Sequence, residues 1–154
     1  MDVYERIKEL GITLPPPPKP GGIYFQTKEF GNSLCYVSGT GPEIPGGKIF
    51  NGKVGAEYTL EEGRDAARCT ALNVLSVLHN NIGDLNKVKS IAKLLCYVAC
   101  ADDFYRQPEV ANGASQLLID VFGESIGKAT RSAIGVYALP GNIPFEMEVL
   151  IELK

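Results

Sequence analysis

The sequence predicts an α+β fold, a mixed sheet with two helices packed on one face, and three observations predict it. Two segments, Thr59 to Gly83 and Pro108 to Gly123, carry apolar residues at helical spacing. Strand-like segments flank and separate them in the order β-β-α-β-α-β-β. The final segment, PFEMEVLIEL, alternates: Phe145, Met147, Val149 and Ile151 take one face, and Glu146, Glu148 and Glu152 the other.

Taken in order, DVYERIKELG sets Val3, Ile7 and Leu10 on one helical stripe and ends in Gly11, a C-terminal cap. PPPPKPGG follows as a stiff polyproline-type connector. Residues 1–21 are thus expected to be a helix and connector, and residues 22–154 a single domain. IYFQTKEF and LCYVSGTG read as a hairpin turning at Gly31-Asn32-Ser33. The glycines that follow match neither G-x-G-x-x-G nor the phosphate-loop pattern and imply only a loop. Thr59 and Glu62 have capping-box spacing ahead of Ala67, Ala71, Val74, Leu75, Leu78 and Ile82. The second helix begins near Pro108, carries Val110, Ala114, Leu117, Leu118, Val121 and Phe122, and stops at Gly123. Between them VKSIAKLLCYVACA suits either element. Its later part is assigned to a strand, where it can join the two that end the chain.

Length and composition bound the function. At 154 residues with 45% hydrophobic content, the chain can bury one substantial core. The formal net charge is -3 and the basic residues are scattered, so no nucleic-acid partner is expected. No apolar stretch approaches the roughly 20 residues of a membrane span, and the N-terminus lacks the features of a secretory signal. The expectation is a soluble cytoplasmic protein with no membrane partner. Cys35, Cys69, Cys96 and Cys100 lack paired metal-site spacing and read as buried reduced thiols. The single histidine, His79, reads as a surface residue at a helix end, leaving no material for a histidine metal site or a Ser-His-Asp triad.

One residue in KATRSAIGVYALPG does not fit its surroundings. Arg131 opens a run that otherwise reads as a buried strand, and a guanidinium withdrawn from water needs an acceptor. Alternation puts Ala133, Gly135 and Tyr137 on its face. The small residues beside it leave space for either a closely packed helix or a ligand. If TRSAIGVYAL and PFEMEVLIEL pair as an antiparallel hairpin through PGNI, a carboxylate approaches Arg131, and an internal ion pair with Glu146 or Glu148 is the structural alternative.

The ordered signals GIYFQ, YVSGTGP, the Thr59 helix, VANGAS, ATRSAIGVYALP and FEMEVLIE resemble the Rid family, also called YjgF or reactive intermediate deaminases. The similarity covers roughly Gly22 to Lys154. It implies a chorismate-mutase-like fold of the bacillus type, assembled as a homotrimer with clefts between subunits. It also implies hydrolysis of 2-aminoacrylate-type enamines and imines to 2-oxo acids and ammonia, without metal or other cofactor. Matched residue by residue, the family's carboxylate-binding arginine falls on Arg131 and its water-activating glutamate on Glu146. Its cleft tyrosine falls on Tyr24, its Ser-Gly pair on Ser38 and Gly39, and its helix asparagine on Asn112. The chain departs from the family pattern at Ala129-Thr130 and Ala133, where Pro-Ala and cysteine are frequent, and in a longer loop from Gly41 to Gly55.

The resemblance leaves open whether the chain is an enzyme, though it leans toward a 2-iminobutanoate/2-iminopropanoate deaminase-like hydrolase. The alternative is a stress-protective trimer that binds small carboxylates without turnover. Third is the endoribonuclease or translation inhibitor that an older L-PSP-type label suggests. Also open is whether Glu146 or Glu148 faces the cleft.

Overall fold

A computed structural model of the protein describes residues 2–154. Helix α1, Val3–Glu9, starts at Asp2, whose side chain accepts the N–H groups of Tyr4 and Glu5. It ends where Gly11 turns left-handed at φ +65°. Val3 and Ile7 are buried in the main core. Tyr4 fixes the helix further: its hydroxyl accepts Leu85 N–H and lies 2.9 Å from Nδ1 of the exposed His79.

Residues 12–26 contain neither helix nor strand. The strand expected from Ile23 begins only at Thr27, and Ile23 and Phe25 project fully or largely into solvent. Strands β1, Thr27–Phe30, and β2, Leu34–Thr40, form the expected antiparallel hairpin. The long helix α2, Leu60–Ile82, begins with a reciprocal capping box. Glu62 N–H donates to Thr59 Oγ1 and Thr59 N–H donates to the Glu62 carboxylate. Strand β3 takes up all of Val88–Ala99, including the part whose spacing also suited a helix. Then come α3, Gln107–Phe122, a single-turn α4, Glu124–Gly127, β4, Thr130–Val136, and β5, Phe145–Leu153.

The sheet order is β1-β2-β5-β3-β4. The expected hairpin between the last two strands does not form: β4 pairs in parallel with β3, and β5 lies antiparallel between β2 and β3. Parallel neighbours need a long crossover, and α3 supplies it between β3 and β4. The chain after β4 is then free to cross β3 and fill the centre of the sheet. As a result β4 is an edge strand, half exposed along much of its length, not the buried strand its composition suggests.

All the apolar alternates of β5, Phe145, Met147, Val149 and Ile151, are buried beneath the helices, as the alternation predicts. Cys35 and Val37 of β2 and Leu94, Cys96 and Val98 of β3 share that face. Helices α2 and α3 pack on it through Leu75, Leu78, Leu117 and Leu118, all essentially inaccessible. The opposite face carries half-buried or exposed side chains such as Tyr36, Tyr97, Glu148 and Ile134.

Where α2 meets α3, a Cβ built on Gly113 would lie 2.1 Å from the Arg64 backbone carbonyl. Alanine gains about 1 kcal/mol in helix propensity over glycine. Overpacking typically costs about 1–3 kcal/mol, and a backbone carbonyl cannot relieve the clash by changing rotamer. Gly113→Ala is therefore expected to lower stability despite the better helix former, read as a lower denaturation midpoint in urea. A midpoint equal to or above that of the parent would mean the helices part at no cost.

Candidate functional site

Four of the sequence-predicted residues line one cavity of about 570 Å³: Tyr24, Ser38, Gly39 and Glu146. Its floor is the edge where β2 meets β5. The ladder between them is irregular from Val37 to Thr40, and this irregularity falls at Ser38 and Gly39. Glu146 occupies the space a side chain at Gly39 would need, since a Cβ there would lie 2.0 Å from Glu146 Oε1. Burial, and then the charge of Glu148, hold the Glu146 carboxyl above its ordinary value. Glu148, the other carboxylate considered from sequence, accepts a 2.9 Å hydrogen bond from the Tyr36 hydroxyl and does not line this cavity.

Hydrogen-bond direction sets what the cavity offers. The Tyr24 hydroxyl accepts Gly21 N–H at 3.0 Å, which leaves its own proton to donate. The Ser38 hydroxyl donates to Phe25 O at 2.7 Å, so its proton is engaged in holding the strand-edge segment. Sequence reasoning missed several of the walls. Pro18 and Lys19 of the connector line the cavity, and Gln26 ties that connector down by donating to Pro18 O at 2.6 Å. Gly41 and Glu43 form another side, fixed from beneath by buried Asn73 of α2, whose Nδ2 donates to both carbonyls. Asn73 sits among apolar helix positions, and a polar residue there is the sequence signal that a loop is being held.

Arg131 and Asn112 are elsewhere. They line a second cavity of about 540 Å³ between α3 and the start of β4. Arg131 is in register with Leu94, itself opposite Val149, so it lies on the helix-covered face. Glu146 aligns with Tyr97 on the other face, with β3 between the two strands. The internal ion pair considered from sequence is absent: among the described residues no carboxylate lies within ion-pair distance of Arg131. The space above Ala133 and Gly135 is filled by the packed helix and its N-terminal side chains, with Gln107 close to Gly135.

The acceptors around Arg131 are neutral. Nη1 donates to Asn112 Oδ1 at 3.0 Å and to Ser115 Oγ at 2.9 Å, and Nη2 donates to Pro108 O at 3.1 Å. These bonds aim the guanidinium without cancelling its charge, which leaves a positioned cation able to receive an anion. Ser115, one helical turn beyond Asn112, was not singled out from sequence. All four cysteines are free, and burial pushes the Cys96 thiol up to about 12. Among the described residues no three His, Cys, Asp or Glu side chains cluster as metal ligands, and no helix is long and apolar enough to cross a membrane.

A Gly39 substitution tests how Glu146 is held. Because the obstructing group is the end of a side chain, Gly39→Ala should fold with near-parent stability while the carboxylate swings out of the cavity. NMR titration of Glu146 should then show its carboxyl returning toward the ordinary value of 4.5. An unchanged titration would mean the burial does not depend on Gly39.

Residues 5–151 match the sequence model of the family described as "YjgF/chorismate mutase-like, putative endoribonuclease". The Trypanosoma cruzi protein TCP17 is 40% identical over 152 residues, covering 99% of this chain and 94% of its own. The crystal structure of Atu1372 from Agrobacterium tumefaciens superposes with a TM-score of 0.89 at 35% identity, covering 99% of this chain and 92% of its own. That of a "putative endoribonuclease" from Shewanella oneidensis MR-1 does so with a TM-score of 0.93 at 29% identity, covering 99% of this chain and all of its own. Both superpositions extend through nearly the whole chain, α1 and the proline connector included. With the mixed sheet and its helix-covered face, these matches establish that the chain belongs to the YjgF/chorismate mutase-like, or Rid, family.

Proposed function

We propose that the protein hydrolyses 2-imino acids of the 2-aminoacrylate type to 2-oxo acids and ammonia, in clefts formed between copies of a homotrimer. One observation carries this reading. Among the described residues, an aimed guanidinium and a half-buried carboxylate each lack an ion-pair partner, and they lie in separate cavities on opposite faces of one sheet. Two half-sites that one chain cannot join call for a second copy, which would set Arg131 of one subunit across from Glu146 of the next.

In that cleft Arg131 holds the substrate carboxylate by its fork and Asn112 and Ser115 keep the fork in place. Glu146 takes a proton from water as the oxygen attacks the imine carbon. That proton passes to the imine nitrogen, giving a carbinolamine; the carbinolamine hydroxyl then yields its proton through Glu146 to the amine as the C–N bond breaks, so imine and water give oxo acid and ammonia. Tyr24, with its proton free, can donate to substrate or leaving group. General acid-base assistance of about 10² to 10⁴-fold suffices for an electrophile that already decays in water. A nuclease reading lacks support in side chains: the single histidine is bonded to Tyr4 at the end of α2, and the formal charge is -3.

Light scattering should give about three times the 16.6 kDa chain mass, and a stable monomer would remove the shared cleft. In single-turnover assays with freshly generated imino acid, Glu146→Gln should cost about 10² to 10⁴-fold in ammonia release while binding of 2-oxo acid is retained. Arg131→Lys should weaken both, because lysine keeps the charge but not the fork. Carboxylate binding without any turnover by the parent would make the protein a binder instead.

The pH profile adds an independent check. Burial and Glu148 raise the Glu146 carboxyl, whereas a facing guanidinium favours its ionised form and lowers it. Activity should fall on acidification as the base protonates. In Arg131→Gln the acid limb of the residual activity should move to higher pH, because the ionised form has lost its counter-charge. An acid limb that stays in place would separate the two groups.

A further inference from the structure

We propose that the substrate carries a second anionic group and is a 2-imino dicarboxylic acid, an inference that rests on Arg131 holding the first carboxylate. The cavity around Arg131 is lined by three cations from three parts of the fold, Arg64 of α2, Lys128 after α4 and Arg131 of β4, together with polar Asn112, Ser115 and Gln116. No aspartate or glutamate lines it. In a chain of formal net charge -3, that concentration of one sign exceeds what a single carboxylate requires. One guanidinium satisfies one carboxylate through two parallel bonds, and two cations remain.

Arg64 and Lys128 have partners, but weak ones. Arg64 lies 3.5 Å from Glu61 and Lys128 lies 2.5 Å from Glu124, both pairs within one helical turn and well exposed. Exposed pairs of this kind contribute little and exchange readily for another anion. The Arg64 backbone packs against Gly113, the residue after Asn112, which puts the base of its side chain beside the cavity. Cations brought to one cavity by three separate segments suit two carboxylates joined by a short carbon chain better than the oxygens of one phosphate.

Calorimetry on the full chain tests the inference with stable acids that need no turnover: 2-oxoglutarate for two charges, 2-oxobutanoate for one, and inorganic phosphate. The parent should bind 2-oxoglutarate about tenfold more tightly than 2-oxobutanoate, with the preference falling as salt rises. Arg64→Gln and Lys128→Gln, which keep much of the side-chain stem, should each reduce that ratio, and the double variant should bring it close to one. Arg131→Lys should weaken both acids. Equal affinity of the parent for the two oxo acids, or an unchanged ratio in the double variant, overturns the second-anion site and leaves the Arg131 reading intact. Tighter binding of phosphate than of 2-oxoglutarate overturns the dicarboxylate assignment. Binding of neither oxo acid overturns both this inference and the reading beneath it.

Discussion

The insertion of β3 between β4 and β5 is the constraint on which the candidate site depends. Strand pleating sends alternate side chains to opposite faces, and the register puts Arg131 opposite Leu94 while Glu146 faces Tyr97. Had the last two strands paired directly, guanidinium and carboxylate would have had a chance to neutralise each other within the chain. Each is instead left without a counter-charge and acquires its own surroundings: a cluster of neutral acceptors for Arg131, and a glycine-shaped recess for Glu146. The topology keeps apart the groups that the proposed chemistry needs in unpaired form.

The two surroundings are built in different ways. Around Arg131 the support is polar and comes mostly from one helix, where Pro108 O, Asn112 and Ser115 follow the α3 turns and meet the edge strand together. Around Glu146 the support is steric and long-range. An irregular stretch of β2 brings Gly39 against the carboxylate, while Asn73 reaches up from α2 to hold the loop that closes the cavity. The first arrangement resists rotation of a side chain, and the second keeps one half-buried against the strand.

Local signals in the sequence hold where a cap, a tight turn or a strict alternation decides the structure. The Thr59–Glu62 capping box, the glycines ending α1, α2 and α3, the β1–β2 hairpin and the alternation of β5 all depend on residues a few positions apart. The partner of β4 does not. A short turn such as PGNI suggests a hairpin, but a strand, a helix and a strand in succession also make a parallel unit, and the sheet adopts that choice. The family motif brought Tyr24, Ser38, Gly39, Asn112, Arg131 and Glu146 to attention, and the fold divides them between two cavities. Ser115, Asn73 and the connector residues carried too little local pattern to be found, because their roles arise from where distant segments meet.

The connector from Pro15 to Pro20 has a consequence of an entropic kind. It forms part of one cavity wall without belonging to any helix or strand, and Gln26 is the side chain that ties it in place. Ordering an ordinary loop costs roughly 1–2 kcal/mol per residue in backbone freedom. A run of pyrrolidine rings has surrendered much of that freedom before folding, so few contacts are needed to keep it in line. The same stiffness means the wall cannot flex to admit a bulkier guest. The width of the opening is in this respect written into covalent geometry, and it should vary less with temperature than an aperture framed by flexible loops.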